Sequence, residues 1–335
     1  MPAGFTDSSS TNHSMTGPFQ LGGRKILVTG GNGFLGRHLV SRLLERGVTQ
    51  GDLLVPTRAE RDLLEMDACL AACEGRDVVF HLAARVGGIA FNLREPGRIF
   101  YENAVMNAQI LEAARRCGVS RFIGIGSVCA YPKETPIPTR EEHLYEGAPE
   151  ESNLAYGLTK RMLHAQTLAY RRQFAFDGIY HLPANLYGPG DNFDPEDSHV
   201  IPALVRRFVE AAAAAASSVS VWGDGLSTRE FLYVADCAEG IARAAELYDD
   251  ETPLNLGGDA EIRVRDLAST IARLACFEGE IVWDASRPSG QRRRRYDSSR
   301  SIAILGPYAT TSFEKGLAQT IAWYREHVRS RAVDG

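Results

Sequence analysis

The regular alternation of short apolar runs with longer amphipathic stretches constrains the fold most strongly. From Lys25 onward the apolar runs read KILVT, DLLVP, DVVFHLAA, RFIGIGS and GIYHLPAN, and amphipathic stretches such as 34–46, 97–117 and 154–174 lie between them. Apolar runs that alternate with helices in this way are typical of parallel strands joined by crossover helices. The pattern predicts an α/β fold with a Rossmann-type, doubly wound parallel sheet.

The length and the breaks in this pattern predict more than one domain. The 335 residues exceed one ordinary domain, and after Tyr187 the regularity gives way to the loop YGPGDNFDPEDSH, rich in Pro, Gly and Asp. The first residues are rich in Ser, Thr and Gly and lack an apolar run. We expect a disordered tail at 1–23, a Rossmann-type domain formed by 24–184 plus about 229–250, and a smaller C-terminal α/β domain formed by 185–228 plus 251–330.

Composition argues against several classes of partner. The net charge of −5 gives no general attraction to nucleic acid or to anionic membranes. No segment offers the roughly 20 apolar residues that span a bilayer. The six cysteines are scattered without the paired spacing of a zinc site, so we expect reduced thiols and no metal. We therefore expect a soluble, cytoplasmic protein with no nucleic-acid or membrane partner.

A glycine-rich turn follows the first apolar run. The sequence TGGNGFLG places Gly30, Gly33 and Gly36 between a predicted strand and a predicted helix. Glycines there let backbone amides and the helix dipole approach a pyrophosphate, although glycines often serve only the turn itself. Because the motif stands directly after a strand and before a helix, it predicts a dinucleotide site.

The end of the second predicted strand bears on which dinucleotide binds. NAD-selective folds usually place an acid there, whereas this strand ends in Thr57 and Arg58. A guanidinium suits the 2′-phosphate of NADP(H), and the alternative is a solvated loop arginine. Further cofactor contacts are expected nearby from Asp62, Leu63, Ala83 and Ala84.

Three residues form a candidate catalytic group. Tyr156 and Lys160 are four residues apart in a predicted helix, so both side chains lie on one face. A neighbouring ammonium lowers the pKa of a phenol by stabilising the phenolate, although such pairs are also common on solvated helices. Ser127 follows the fourth strand, at the sheet edge where doubly wound folds bind ligands, and this favours a catalytic role.

Together these residues resemble the Ser, Tyr-x-x-x-Lys and glycine motifs of the extended short-chain dehydrogenase/reductase family. Within that family, the stretches AARVGGI, SVCAYPK, PANLYGPGDNF, SHVIPALVRRF and VWGDGLSTREF are similar to GDP-L-fucose synthases. The resemblance implies NADPH-dependent 3,5-epimerisation and 4-reduction of a GDP-4-keto-6-deoxy sugar by a homodimer. It also implies that Cys129 and His199 are the acid and base of epimerisation.

The resemblance extends to residues around both ligands. Asn103 matches an asparagine that this branch uses structurally near its active site. Of the run Arg292 to Arg295 we expect only one or two side chains to touch ligand. Implied cofactor contacts are Phe34, Leu35, Tyr156, Lys160, Pro183, Asn185, Leu186 and His199. Implied substrate contacts are Asn185, Arg207, Trp222, Arg229 and Arg294.

Alternative functions stay open at this point. One is a GDP-mannose 3,5-epimerase type of isomerase, which returns its cofactor unchanged; another is an epimerase/reductase of a related GDP-sugar, such as a GDP-heptose. Arg58, Pro183 and His199 point away from the isomerase. Val128 and Ala130 replace a serine and an isoleucine usual in the resembled family, so the exact sugar, hexose or heptose, is not determined by sequence.

Overall fold

A computed structural model describes residues 19–258, 261–286 and 292–327. Within these ranges the strands are β1 (Ile26–Thr29), β2 (Leu53–Leu54), β3 (Val78–His81), β4 (Arg121–Ile125), β5 (Gly178–Pro183), β6 (Asn185–Tyr187), β7 (Ser218–Trp222), β8 (Thr228–Tyr233), β9 (Leu254–Leu256), β10 (Glu261–Arg263) and β11 (Glu280–Asp284). The helices are α1 (Phe34–Glu45), α2 (Met66–Cys73), α3 (Ile89–Arg94), α4 (Pro96–Arg116), α5 (Leu154–Phe174), α6 (Val200–Ala213), α7 (Val234–Leu247), α8 (Val264–Leu274), α9 (Ser299–Leu305) and α10 (Phe313–His327).

The main sheet has six parallel strands in the order β2-β1-β3-β4-β5-β9. Every residue of β1, β3, β4 and β5 is buried, which explains why these strands read as continuous apolar runs. Strand β1 has β2 on one side and β3 on the other, so the direction in which successive strands are added to the sheet changes at β1. The predicted fold class is confirmed, and the carboxyl ends of β1 and β3 form the edge where such folds bind ligands.

A second, smaller group of elements has its own core. Strand β8 pairs in parallel with β6 and antiparallel with β10, while β7 and β11 form a separate parallel pair. Buried side chains of α6, α8 and α10, among them Phe208, Leu267 and Leu317, pack together beside these strands. This core is distinct from the one that covers the main sheet.

The expected domain boundary differs from the structure in one stretch. We expected 251–330 in the smaller domain, but β9 is the sixth strand of the main sheet, and α9 packs against β9 and α7. Strand β9 has only three residues, too few to show a period in sequence. The rest of the division into two domains stays a prediction.

The predicted tail at 1–23 is also too long. Residues 1–18 lie outside the described part of the chain, but Phe19 and Leu21 are buried in the main core. The backbone N–H of Phe19 donates to the carbonyl of Glu246 at 2.9 Å, and the guanidinium carbon of Arg121 lies 4.4 Å from the centre of the Phe19 ring. The ordered fold therefore begins at or before Phe19.

Two expectations from composition concern membranes and thiols. Among the residues that the structure describes, no helix is both long and apolar enough to cross a bilayer. All six cysteines are free in the structure.

We expect Phe19→Ala to lower the free energy of unfolding by about 3 kcal/mol, the usual loss when a core phenylalanine is truncated. Urea denaturation followed by circular dichroism measures it. Phe174→Ala is the matched control, because that ring is 41% exposed and should lose much less. Equal losses in the two variants would contradict the anchoring role of Phe19.

Candidate active site

The glycine-rich turn brings three backbone segments into close contact. Gly30 has a φ of 71°, and a Cβ there would lie 2.7 Å from the backbone nitrogen of Ala83. A Cβ at Gly36 would collide with the carbonyl oxygen of Gly30. Helix α1 begins after Gly33, with no side-chain cap and no acid in its first turn. Its first N–H groups therefore suit an anion such as the pyrophosphate of a dinucleotide.

Arg58 lies after β2 in a network of opposite charges. Its Nε is 3.3 Å from Oδ2 of Asp62, and its guanidinium is 3.6 Å from Oε2 of Glu102. Glu102 is almost buried and also binds Arg98 and Arg85. A hydrogen bond from Arg98 holds the pKa of the Glu102 carboxyl below its usual range. Sequence reasoning missed Glu102, because it lies on α4, far along the chain from Arg58.

The other predicted cofactor residues lie at the same sheet edge. Ala83 and Ala84 follow β3, Phe34 and Leu35 begin α1, and Pro183 ends β5. Asn185 and Leu186 lie in β6, and the Asn185 amide donates to the Glu230 carbonyl at 3.0 Å. The Leu63 side chain is buried in the core, so only its backbone is available to a cofactor.

Asn103 holds the loop that follows β3. Its Oδ1 accepts the backbone N–H of Arg85 at 2.8 Å, and its Nδ2 donates to the Arg85 carbonyl at 2.9 Å. Asn103 is buried, so these two bonds satisfy its amide. This placement fits the structural role that the resemblance implied.

Ser127, Tyr156 and Lys160 come together where α5 packs against the end of β4. The side chains of Tyr156 and Ser127 lie beside each other, and Nζ of Lys160 lies 5.6 Å from the centre of the Tyr156 ring. Nζ also donates to the carbonyl of Ile125 at 2.7 Å. Burial lowers the pKa of Lys160 to about 8.

One expectation about this group is corrected. We expected the ammonium to lower the pKa of Tyr156, but burial dominates and raises the pKa of Tyr156 well above its usual value, with a further contribution from Cys129. Burial disfavours a phenolate because its charge loses hydration. Tyr156 therefore stays a neutral phenol, the state that can donate a proton.

Cys129 lies in a single 3-10 turn, Val128–Ala130, directly after Ser127. Its backbone N–H donates to Oγ of Ser127 at 3.2 Å, and its side chain is half-buried. The Arg294 guanidinium lies beside Cys129. Burial acts to lower the pKa of Arg294, but the neighbouring Tyr296, Cys129 and Glu150 outweigh burial and raise it. Tyr296 is buried and was missed from sequence, since nothing in RRRRYD marks it.

His199 precedes α6 and is not in contact with the Ser127 group. The His199 side chain is exposed to solvent. Many protein atoms nevertheless surround the ring at longer range, and the resulting loss of hydration lowers the pKa of His199. One contact joins its loop to the segment that follows β3: the Gly88 N–H donates to the Asp197 carbonyl at 3.1 Å. His199 therefore lies two residues from a loop contact with the residues after β3, and α3 is in turn joined to the start of α5 by the 2.7 Å bond from Asn92 to Asn153.

The predicted substrate residues of the smaller lobe include two pairs of neighbours. The pKa of Arg229 is lowered mainly by burial and in addition by the charge of Arg294, which shows that these two guanidinium groups lie close together. Arg207 lies 5.4 Å from the centre of the Trp222 ring, which is 54% exposed. Of Arg292 to Arg295 only Arg294 is half-buried, while the others are exposed. Two neighbouring guanidinium groups suit a diphosphate, and an exposed indole packed against an arginine suits a base or a ribose.

A parallel sheet that presents a glycine turn and a Ser-Tyr-Lys group, beside a smaller lobe that carries clustered arginines, defines a dinucleotide-dependent enzyme of the extended short-chain type. The family model described as "NAD dependent epimerase/dehydratase family" matches residues 26–257. The chain belongs to this family, as the sequence motifs predicted.

Named relatives narrow the comparison. A "Probable GDP-L-fucose synthase 1" of Oryza sativa subsp. japonica is 39% identical over 312 residues, which cover 92% of this chain and 94% of the rice protein. A GDP-L-fucose synthetase of Naegleria fowleri bound to NADP has a TM-score of 0.86 and 28% identity, over 94% of this chain and 98% of its own. A GDP-6-OMe-4-keto-L-xylo-heptose reductase of C. jejuni has a TM-score of 0.85 and 26% identity, over 92% of this chain and 99% of its own.

We expect Lys160→Met to change stability in a pH-dependent way. With a folded pKa of about 8 against 10.5, the buried ammonium destabilises the wild type by about 3 kcal/mol below pH 8, and this penalty fades as pH rises towards 10.5. The melting temperature of the variant relative to wild type should therefore fall as pH rises above 8. The control is Lys133→Met at an exposed site, with no such trend. A pH-independent difference would contradict the buried charge.

Proposed function

We propose that the protein catalyses NADPH-dependent 3,5-epimerisation and 4-reduction of a GDP-4-keto-6-deoxy sugar, as a GDP-L-fucose synthase does. One observation carries the proposal: the Ser127 side chain lies beside Tyr156, the predicted proton donor of reduction, and its Oγ accepts the backbone N–H of Cys129, the predicted base of epimerisation. Groups for two different proton transfers therefore lie around one position. The similarity to GDP-L-fucose synthases supports the same conclusion.

Epimerisation needs a base and an acid near the sugar ring. A ketone at carbon 4 acidifies the protons on carbons 3 and 5, so one acid/base pair is able to invert both centres through an enediolate. We assign Cys129 as the base and His199 as the acid. Cys129 lies in the turn that follows β4 and His199 directly precedes α6, and these separate origins suit proton transfer at two positions around a ring bound between them.

Reduction uses the Ser127 group. Bound NADPH supplies a hydride to carbon 4. The Tyr156 phenol then protonates the oxygen on carbon 4, Ser127 orients that oxygen, and Lys160 supports the phenol and the nicotinamide ribose. The raised pKa of Tyr156 suits this role, because the donor is protonated at neutral pH.

The predicted substrate residues would hold the GDP moiety. We assign Arg229 and Arg294 to the diphosphate oxygens because their guanidinium groups lie close together, and Trp222 with Arg207 to the base or the ribose because the exposed indole packs against a guanidinium. Asn185 completes the predicted set. We also keep the homodimer and the cytoplasmic location as predictions; the exposed Tyr101 on α4 and Leu158 on α5 support paired helices.

We expect Cys129→Ser and His199→Asn each to lower solvent deuterium exchange into carbons 3 and 5 of GDP-4-keto-6-deoxymannose by at least ~100-fold, the usual loss of a general acid or base. Mass spectrometry and NMR of the recovered sugar measure the exchange. Cys276→Ser, at an exposed cysteine, is the control. Unchanged exchange in the first two variants would remove the acid/base assignment.

The same incubation separates the alternative functions. An epimerase/reductase consumes NADPH stoichiometrically with product, whereas an isomerase of the GDP-mannose 3,5-epimerase type turns over without net consumption. The likeness to a C. jejuni heptose reductase makes a GDP-heptose the second substrate to assay. Turnover of the GDP-heptose but not of the 6-deoxy sugar would change the proposed substrate and keep the proposed reaction.

We expect Arg58→Gln to weaken NADPH binding by about 10-fold or more and to leave NADH binding nearly unchanged, because only NADPH carries the 2′-phosphate that a guanidinium binds. Fluorescence titration of each reduced cofactor measures the affinities without turnover. Arg61→Gln is the control, since the Arg61 guanidinium instead bonds the carbonyl of Glu60. Equal losses for both cofactors would argue against NADPH selectivity at Arg58.

A further inference from the structure

The turn that carries Cys129 is held at several backbone atoms. Arg161 of α5 donates from Nε to the Ala130 carbonyl at 2.6 Å, and Arg294 donates to the Val128 carbonyl at 3.3 Å. Gly157 of α5 packs so closely that a Cβ there would lie 2.6 Å from the Cys129 carbonyl oxygen. The position of the thiol is therefore determined by contacts on both sides of the turn.

Arg161 is an unusual residue for such a place. It directly follows Lys160 in α5 and is only 9% exposed, although arginines are mostly exposed. Its second guanidinium nitrogen donates to the Gly147 carbonyl at 2.6 Å. Burial lowers the pKa of Arg161, but a guanidinium keeps its proton in proteins. Burying a cation costs free energy unless hydrogen bonds compensate it, and this guanidinium spends its bonds on the backbone carbonyls of Ala130 and Gly147.

We propose that Arg161 is a positioning residue for epimerisation, fixing the Val128–Ala130 turn so that the Cys129 sulfur reaches the protons of carbons 3 and 5. The inference rests on the proposed role of Cys129 as base. Arg161 bonds neither Tyr156 nor Ser127 among the described contacts, so hydride transfer does not depend on it directly. A misplacement of ~1 Å is enough to slow such a step by ~100-fold.

The two half-reactions separate a positioning role from a general structural one. Deuterium exchange into carbons 3 and 5 reports epimerisation. Single-turnover oxidation of GDP-L-fucose by NADP⁺, followed by absorbance, reports hydride transfer in reverse and needs no epimerisation. NADPH titration reports whether the cofactor site is intact.

We expect Arg161→Met to lower exchange by roughly 10- to 100-fold while hydride transfer and NADPH affinity stay within about threefold of wild type. Arg161→Lys keeps the charge but offers one donating nitrogen in place of the two that reach Ala130 and Gly147, and should recover part of the exchange. The matched control is Arg171→Met, because Arg171 also lies on α5 and donates to a backbone carbonyl, that of Gly178 at 3.1 Å. All three measurements on this control should stay near wild type.

Unchanged exchange in Arg161→Met, or equal loss of both half-reactions, would overturn the proposal. If that variant does not fold, Arg161→Lys decides in the same way: exchange must fall more than hydride transfer. Cys129→Ser separates a failure of the proposed base from a failure of the positioning role of Arg161. Exchange that survives Cys129→Ser removes the proposed base and this inference with it, whereas exchange lost in Cys129→Ser but kept in Arg161→Met removes only the inference.

Discussion

The candidate site depends on the way helix α5 packs against the carboxyl end of strand β4. The ammonium of Lys160 bonds the last carbonyl of β4, that of Ile125, and the next residue of the helix bonds Ala130. A buried cation is stable only where oxygen atoms accept its hydrogen bonds. Helix and strand end therefore fix each other: the Lys160 bond holds the end of β4 beside the Tyr156 phenol, and the Arg161 bond holds the turn that carries the Cys129 thiol.

The two lobes are joined by a short extended segment, residues 292–297. On one side Thr228 donates to the Arg292 carbonyl at 2.9 Å; on the other, Thr139 donates to the Arg295 carbonyl at 2.8 Å. The buried carboxylate of Glu230 accepts the N–H of Tyr296 at 2.8 Å, and burial raises the pKa of Glu230 to about 7. Arg294 belongs to this segment, and its side chain reaches from the smaller lobe to the turn that holds Cys129.

Sequence patterns predicted the features that depend on local order. Strands β1, β3, β4 and β5 were recognisable because both their faces are buried, and the glycine turn was recognisable from its place between strand and helix. Ser127, Tyr156 and Lys160 do come together as their motif predicted. What escaped prediction depends on contacts between distant parts of the chain. Glu102, Tyr296 and Arg161 acquire their surroundings only in the folded chain, and the effect of burial on Tyr156 outweighs the ammonium that sequence reasoning emphasised.

The joining segment also restricts how such enzymes are able to exchange specificity. Its hydrogen bonds reach β8 in one lobe and Thr139 beside the other, so the two lobes are not structurally independent. A chimaera that took its smaller lobe from a relative would also need the relative's counterpart of residues 132–141, because the joining segment would otherwise pack against a backbone that does not match it. Recombination of substrate preference in this architecture must therefore transfer two distant stretches of gene together.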